Sequence, residues 1–383
     1  MASFGMVLPE LPGVLTEMGH PDKIGWLVGL FTIGAFIARL YSGKIADRAG
    51  RIPVMLIGSL VTFLAGLGYL AVWWWAPRDA GPDGTMSMAV TLLLGIRLFH
   101  GLSTGFRPTG ATAFLTDVAP ISRRGEALGF LGVAGNAGMA MGPAIGSFLA
   151  VEVGMEAMFA VSTALGLLSL LLTTMLNESL PNARRVALGD FNLFKGKVLD
   201  WGTWPSALAM LAPAFAFGTF LTVTPDFVAD LGYTYKGAFN TIVVLASISM
   251  RFVAGKASDR HGRVPLMVVG AWLLAAGMGL LALSQTPLTA ALAGLVYGMS
   301  VGINMPTVFA WTADLARPGR IALALGTMLM ALELGIGFGA FLSGAIYEGV
   351  LGRIPSLYAM SAGVAALSGV VLTIHGVRLR LRA

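Results

Sequence analysis

The chain has no cysteine, which leaves it without a disulfide framework and without a thiolate metal site. Its four histidines, His20, His100, His261 and His375, are scattered and form no HExxH pair. A zinc-hydrolase centre is therefore not expected, and no metal ligand set is assigned. No Gly-x-x-x-x-Gly-Lys-Ser/Thr loop occurs, which argues against a nucleotide-driven pump. Charge is the scarcest feature: Asp, Glu, Lys and Arg make up 11% of 383 residues, against 56% hydrophobic. Ordinary soluble domains carry about 25% charged residues. These absences describe an integral membrane protein that is not an enzyme and needs no cofactor.

What the chain has instead is apolar length. Runs of about 20 residues recur, each able to cross ~30 Å of hydrocarbon, and mean hydropathy is +0.80. We read an all-α integral membrane fold with twelve spans, at 2–18, 23–42, 53–75, 87–117, 126–150, 155–176, 204–226, 236–254, 264–284, 287–315, 321–346 and 355–376. Residues 1–176 form one six-helix bundle and 204–383 a second, joined by a polar linker at 177–203. That linker offers a weak signal for an interfacial helix around Phe191 and Phe194. The net charge of +6 reports topology, with no nucleic-acid partner implied. Most Lys and Arg fall in alternate loops, whereas Lys23, Arg78, Lys236 and Arg353 lie on the opposite side. The positive-inside rule makes the richer side, with both termini, cytoplasmic.

One basic stretch occurs twice. GKIADRAGRIPVM at 43–55 returns as GKASDRHGRVPLM at 255–267, each between two long apolar runs. Each copy is expected to be a tight turn at the membrane surface, with Gly43 and Gly50 allowing close approach and positive φ. Asp47 and Asp259 can accept from a neighbouring helix N-terminus or pair with Arg51 or Arg263. Such contacts can latch one conformation and release in another; the competing reading is that the basic residues only enforce topology. Further matches bind the halves together. GLSTG at 101–105 answers GMSVG at 298–302, Asp117 answers Asp314, and Arg123 answers Arg320. An insertion around 73–87 marks an external loop. Pro9-Glu10 answers Pro225-Asp226, which leaves the first helix short at its cytoplasmic end. That helix is expected to be truncated by a late start codon, or else to be a naturally short span. Internal duplication of this kind is characteristic of secondary transporters.

On these residues the chain resembles the major facilitator superfamily over essentially its whole length. The repeated turn looks like the family's signature loop between spans two and three, with its echo between eight and nine. Arg97-x-x-x-Gly101 in span four looks like the motif of proton-coupled members, with His100 where Gln is common. GNAGMAMGPAIG at 135–146 looks like the glycine-rich motif of antiporters of the twelve-span drug-exporter type. The resemblance implies gating by Gly43, Asp47, Arg48, Arg51, Gly255, Asp259, Arg260 and Arg263. Gly135, Gly138, Gly142 and Gly146 form a small-residue stripe for backbone contact, and Pro143 can kink the helix; packing alone would explain them.

Ionisable groups within spans are costly in hydrocarbon and serve as candidate functional sites. Glu333, central in span eleven, is the candidate proton carrier, with Arg97, Glu10 and Asp226 as further coupling residues. The competing readings are an interhelical hydrogen bond for Glu333 and helix-end caps for Glu10 and Asp226. Arg107, Asn136, Asn304 and Trp311 are candidate substrate contacts, and His100 a shuttle or simply a bonded residue. Trp26, Trp73, Trp74 and Trp75 fit an interfacial belt. The first reading is a monomeric inner-membrane exporter, exchanging a small organic molecule against protons by alternating access, with no cofactor beyond the proton gradient. Uptake by symport uses the same groups, and a channel or sensor that never cycles is the remote alternative. The two arginines favour anionic or zwitterionic cargo.

Overall fold

The computed structural model describes residues 1–75, 87–120, 123–180, 199–317 and 321–380. The external loop at 76–86, the linker segment with Phe191 and Phe194, and Arg320 lie outside the described residues.

In hydrocarbon every backbone N–H and C=O must be satisfied within its own segment, so the apolar runs become helices. In chain order these are α1 (Ala2–Val7), α2 (Leu11–Glu17), α3 (Ile24–Ala49), α4 (Arg51–Trp75), α5 (Met88–Val118), α6 (Arg124–Glu152), α7 (Met155–Thr174), α8 (Trp204–Asp230), α9 (Lys236–His261), α10 (Arg263–Leu283), α11 (Pro287–Leu315), α12 (Ile321–Tyr347) and α13 (Ile354–Arg380). Ten of them are long and apolar enough to cross a membrane. The other two of twelve spans are α6, whose glycines dilute its hydropathy, and the broken pair α1–α2. That break falls at Pro9, which lacks an N–H; Pro12 then sits in the first turn of α2, where no donor is needed. Side-chain caps mark other starts: Ser87 accepts from the N–H of Val90, and Thr286 and Thr289 cap α11 reciprocally.

The chain divides into two compact units. Unit one comprises Met1–His20 and Leu30–Val198; unit two comprises Pro21–Gly29 and Leu199–Ala383. In unit one, α1 lies on the glycine stripe of α6. A Cβ at Gly142 would stand 2.7 Å from the Ala2 carbonyl oxygen, and Gly138 and Gly146 meet Met1, Ala2 and Met6 in the same way. Gly135 takes no part, since a Cβ there would meet nothing within 4 Å. Unit two repeats the arrangement with α8 on α12: Gly335 abuts Ala214, and Gly339 abuts Phe215. Gly142→Val is therefore expected to cost about 1–3 kcal/mol by overpacking, and Gly135→Val almost nothing. Thermal unfolding of the two variants in detergent reads the difference; equal midpoints would remove α1 from the stripe.

The repeated stretch corrects one expectation. It is not a loop between shorter spans: α3 runs on to Ala49 and α4 resumes at Arg51, so a single residue, Gly50, makes the reversal. Gly50 has φ +112°, and Gly262 holds the same place between α9 and α10 with φ +91°. Gly43 and Gly255 are instead helical and exposed, with open space where a Cβ would go. They supply neither a positive φ nor a close approach.

Candidate functional site

At each repeated turn an arginine draws three segments together. Arg51 donates from Nε to Asp117 on α5 (2.9 Å), and from Nη1 to Asp47 (2.7 Å) and to the Ala46 carbonyl (2.6 Å). Arg263 repeats this with Asp314 on α11 (2.8 Å), Asp259 (2.5 Å) and the Ser258 hydroxyl (2.8 Å). The planar guanidinium suits such a fork, and charge-assisted bonds are the stronger class. Arg48 is half-buried and Arg260 exposed. The matched pair Asp117 and Asp314 was visible in the sequence as a repeat, but their partnership with Arg51 and Arg263 was not.

Unit one adds a second anchor. Glu178, just past α7, accepts from the N–H groups of Arg51 (2.9 Å) and Ile52 (3.0 Å), so its carboxylate sits on the N-terminus of α4. Ser179 beside it donates to Asp117 (2.9 Å). Burial opposes the charge on Glu178, but the N–H donors of Arg51, Leu180, Ile52 and Ser179 outweigh it and hold the carboxyl below its ordinary 4.5. A carboxyl depressed by folding adds stability that is present above its unfolded pKa and is lost as pH falls through the folded value. Glu178→Gln should therefore lower the thermal midpoint at pH 7, with the gap to wild type closing below about pH 4. A gap independent of pH would deny the carboxylate this role.

Among the span residues, Arg97 is almost fully buried on α5. Its guanidinium stacks on the Phe31 ring, 4.5 Å from the centroid. His100, one turn along, has edge contacts with Phe4 and Phe31 and its Nδ1 lies 3.1 Å from the Tyr69 hydroxyl. Arg107, half-buried, presses its backbone on Gly58 of α4. The structure thus brings Arg97 and His100 into one aromatic cluster within unit one.

The carboxylates sit apart from one another along the chain. Glu10, at the α1–α2 break, is 8% exposed and accepts a short hydrogen bond from Ser147 of α6. Asp226, in the last turns of α8, accepts from the Tyr347 hydroxyl of α12 at 2.8 Å. Glu333 is 6% exposed in the middle of α12. Asn136 is half-buried and donates to the Gly132 carbonyl of its own helix. Asn304 is 1% exposed, with its amide donating to the Gly270 carbonyl (3.1 Å) and the Ser300 hydroxyl (3.0 Å) between α11 and α10. Trp311 lies against the His375 ring, 6.2 Å between centroids. Sequence reasoning did not find Ser147 or Tyr347, because single hydroxyls carry no motif.

A family model described as Major Facilitator Superfamily matches residues 1–250 and again 207–380. The multi-drug resistance efflux pump PmrA of Streptococcus pneumoniae is 26% identical over 378 residues, covering 95% of this chain and 90% of that protein. The quinolone resistance protein NorA of Staphylococcus aureus is 25% identical over 221 residues, 56% of this chain and 51% of that protein. Among solved structures, the inward open xylose transporter XylE from E. coli has a TM-score of 0.75 at 17% identity, covering 97% of this chain and 92% of that one. At that identity the likeness concerns the fold.

Proposed function

Since the chain belongs to the major facilitator superfamily, and is thus a multi-pass membrane transporter rather than an enzyme, we propose that it exports small organic molecules from the cytoplasm in exchange for protons. The observation that carries this reading is the burial of a carboxylate in a membrane-spanning helix, Glu333 at 6% exposure, with a second, Glu10, buried to 8% at the α1–α2 break. An ionised carboxylate at such depth is costly, and protonation removes the cost. A group held there is suited to taking up a proton on one side and giving it up on the other. Glu333 is the principal carrier in this scheme, with Glu10 and Asp226 as secondary sites and Arg97 as the fixed charge that senses them. A relative named as a multi-drug resistance efflux pump, beside one named as a quinolone resistance protein, favours the outward direction. Arg107, Asn136, Asn304 and Trp311 are the candidate cargo contacts. The turns at Gly50 and Gly262, facing the cytoplasm by the positive-inside rule, act as conformational latches.

The test uses purified protein in liposomes enclosing a pH-sensitive dye, under an imposed proton gradient, with a quinolone as first cargo. Proton movement opposite to the cargo is the expected result. Movement of both in one direction would make the protein a symporter and sink the export reading.

A further inference from the structure

Unit two holds, inside a span, a cation that none of the described residues neutralises. Arg251 lies on α9, whose 26 residues run from Lys236 to His261. At the helical rise it stands ~15 Å from the His261 end and ~22 Å from the other. Ser247, Ala254 and Ser258, which share its face at steps of three and four residues, are almost fully buried, whereas neighbouring Phe252 and Val253 are exposed. Arg251 therefore belongs to the inward stripe of α9 rather than to its outer face. Side chains on a helix tilt toward its N-terminus, so this one leans away from the Gly262 turn and deeper into the span. Snorkelling to the surface at that turn does not account for it.

The guanidinium is short of partners. The residue is half-buried, its Nε is shut in without a hydrogen bond, and no ion pair among the described residues reaches it. The acids on the surrounding helices are engaged elsewhere. Helix α9 packs on α11, with its Val243 and Ser247 carbonyls against Gly298 and Gly302. Each of these two helices carries a single acid, Asp259 and Asp314, and Arg263 holds both. Helix α10 has none. On α8, Asp226 and Asp230 stand in the last turns, with Asp226 bound to Tyr347. Arg39, the counterpart of Arg251 in the repeat, is not free in this way. Duplication supplied two arginines, and the fold of unit one has absorbed its own. A guanidinium stays charged at any working pH. Held within a span, it is costly until an anion meets it.

We propose, on the reading that the chain moves small organic molecules, that Arg251 is the anion-binding residue of unit two and takes the carboxylate of the cargo. The planar fork of donors matches the two oxygens of a carboxylate. One such group neutralises the charge and gives Nε and an Nη their acceptors. A cargo without the anion leaves Arg251 unpaired, so the residue discriminates acids from neutral analogues.

The full chain in detergent is dialysed to equilibrium against a quinolone with a free carboxylate and, separately, against its methyl ester. The acid should bind about tenfold more tightly, the lower end of what hydrogen bonds to charged groups contribute. Arg251→Gln should erase that advantage by weakening the acid while the ester binds as before, a pattern that misfolding, which weakens both, does not produce. Arg251→Lys should keep part of it, since the charge remains and the fork is lost. Arg39→Gln should keep all of it. On the unaltered protein, phenylglyoxal should modify Arg251, and the acid but not the ester should protect it, a readout that needs no variant. Equal binding of acid and ester, binding of neither, an advantage that survives Arg251→Gln, or labelling indifferent to the acid would overturn the assignment. Equilibrium binding requires no proton movement, so a symport result in liposomes would sink the export reading and leave this one standing.

Discussion

Replacing Glu333 by glutamine is expected to reduce cargo-driven proton flux to the level of protein-free liposomes. Glutamine keeps the shape of the side chain and its hydrogen-bonding reach but cannot take up or release a proton. The residue is 6% exposed, with Leu332 and Ile336 of the unit-two core close by on the same helix. Losing a titratable group from such a position should not unfold the protein; it removes a charge that is costly to bury. Cargo exchange across the membrane in the absence of net proton movement should therefore survive in Glu333→Gln, which separates a coupling defect from a dead protein. Glu333→Asp, shorter by one methylene, should keep part of the flux. Proton flux unchanged in Glu333→Gln would hand the role to Glu10 or Asp226, and their amide variants would then be expected to abolish it.

What the sequence made legible follows from how strong each signal is in lipid. Hydrocarbon forbids unsatisfied backbone, so apolar length alone located the helices, and duplication of one basic stretch exposed the two-fold organisation. The course of the turns was harder to read. Gly43 and Gly50 look alike in sequence, but only Gly50 has positive φ, and α3 continues through Gly43 to Ala49. Partner choice was harder still. The amide nitrogen of Asn304 donates to the Gly270 carbonyl of α10 and to Ser300 of its own helix, pairings that no motif announces. Glu178 lies in no motif, and only the folded chain brings it to the start of α4.

The second large effect is expected at Arg51, and the informative change is to lysine. Lysine keeps the charge, so topology is preserved if the basic residues serve only to orient the chain. What it loses is the planar fork that reaches Asp117, Asp47 and the Ala46 carbonyl together. Hydrogen bonds to charged groups contribute about 1.5–3 kcal/mol each when well formed, less at this partly exposed site. Losing even one shifts a two-state equilibrium about tenfold, at 1.4 kcal/mol per decade. If the fork latches one conformation of the cycle, Arg51→Lys should lower turnover about tenfold while cargo affinity and membrane insertion stay near wild type. Arg263→Lys, at the matching fork in unit two, should act in the same direction. Its effect should be the larger, because α4 in unit one is also held by Glu178, which keeps that turn in place when the Arg51 fork is lost. Asp117→Asn tests the same contact from the other side, and a double variant with Arg51→Lys should lose little beyond the single change. Turnover that is untouched by Arg51→Lys but lost with Arg51→Ala would reduce the turn to a topology signal, with charge sufficient and geometry irrelevant.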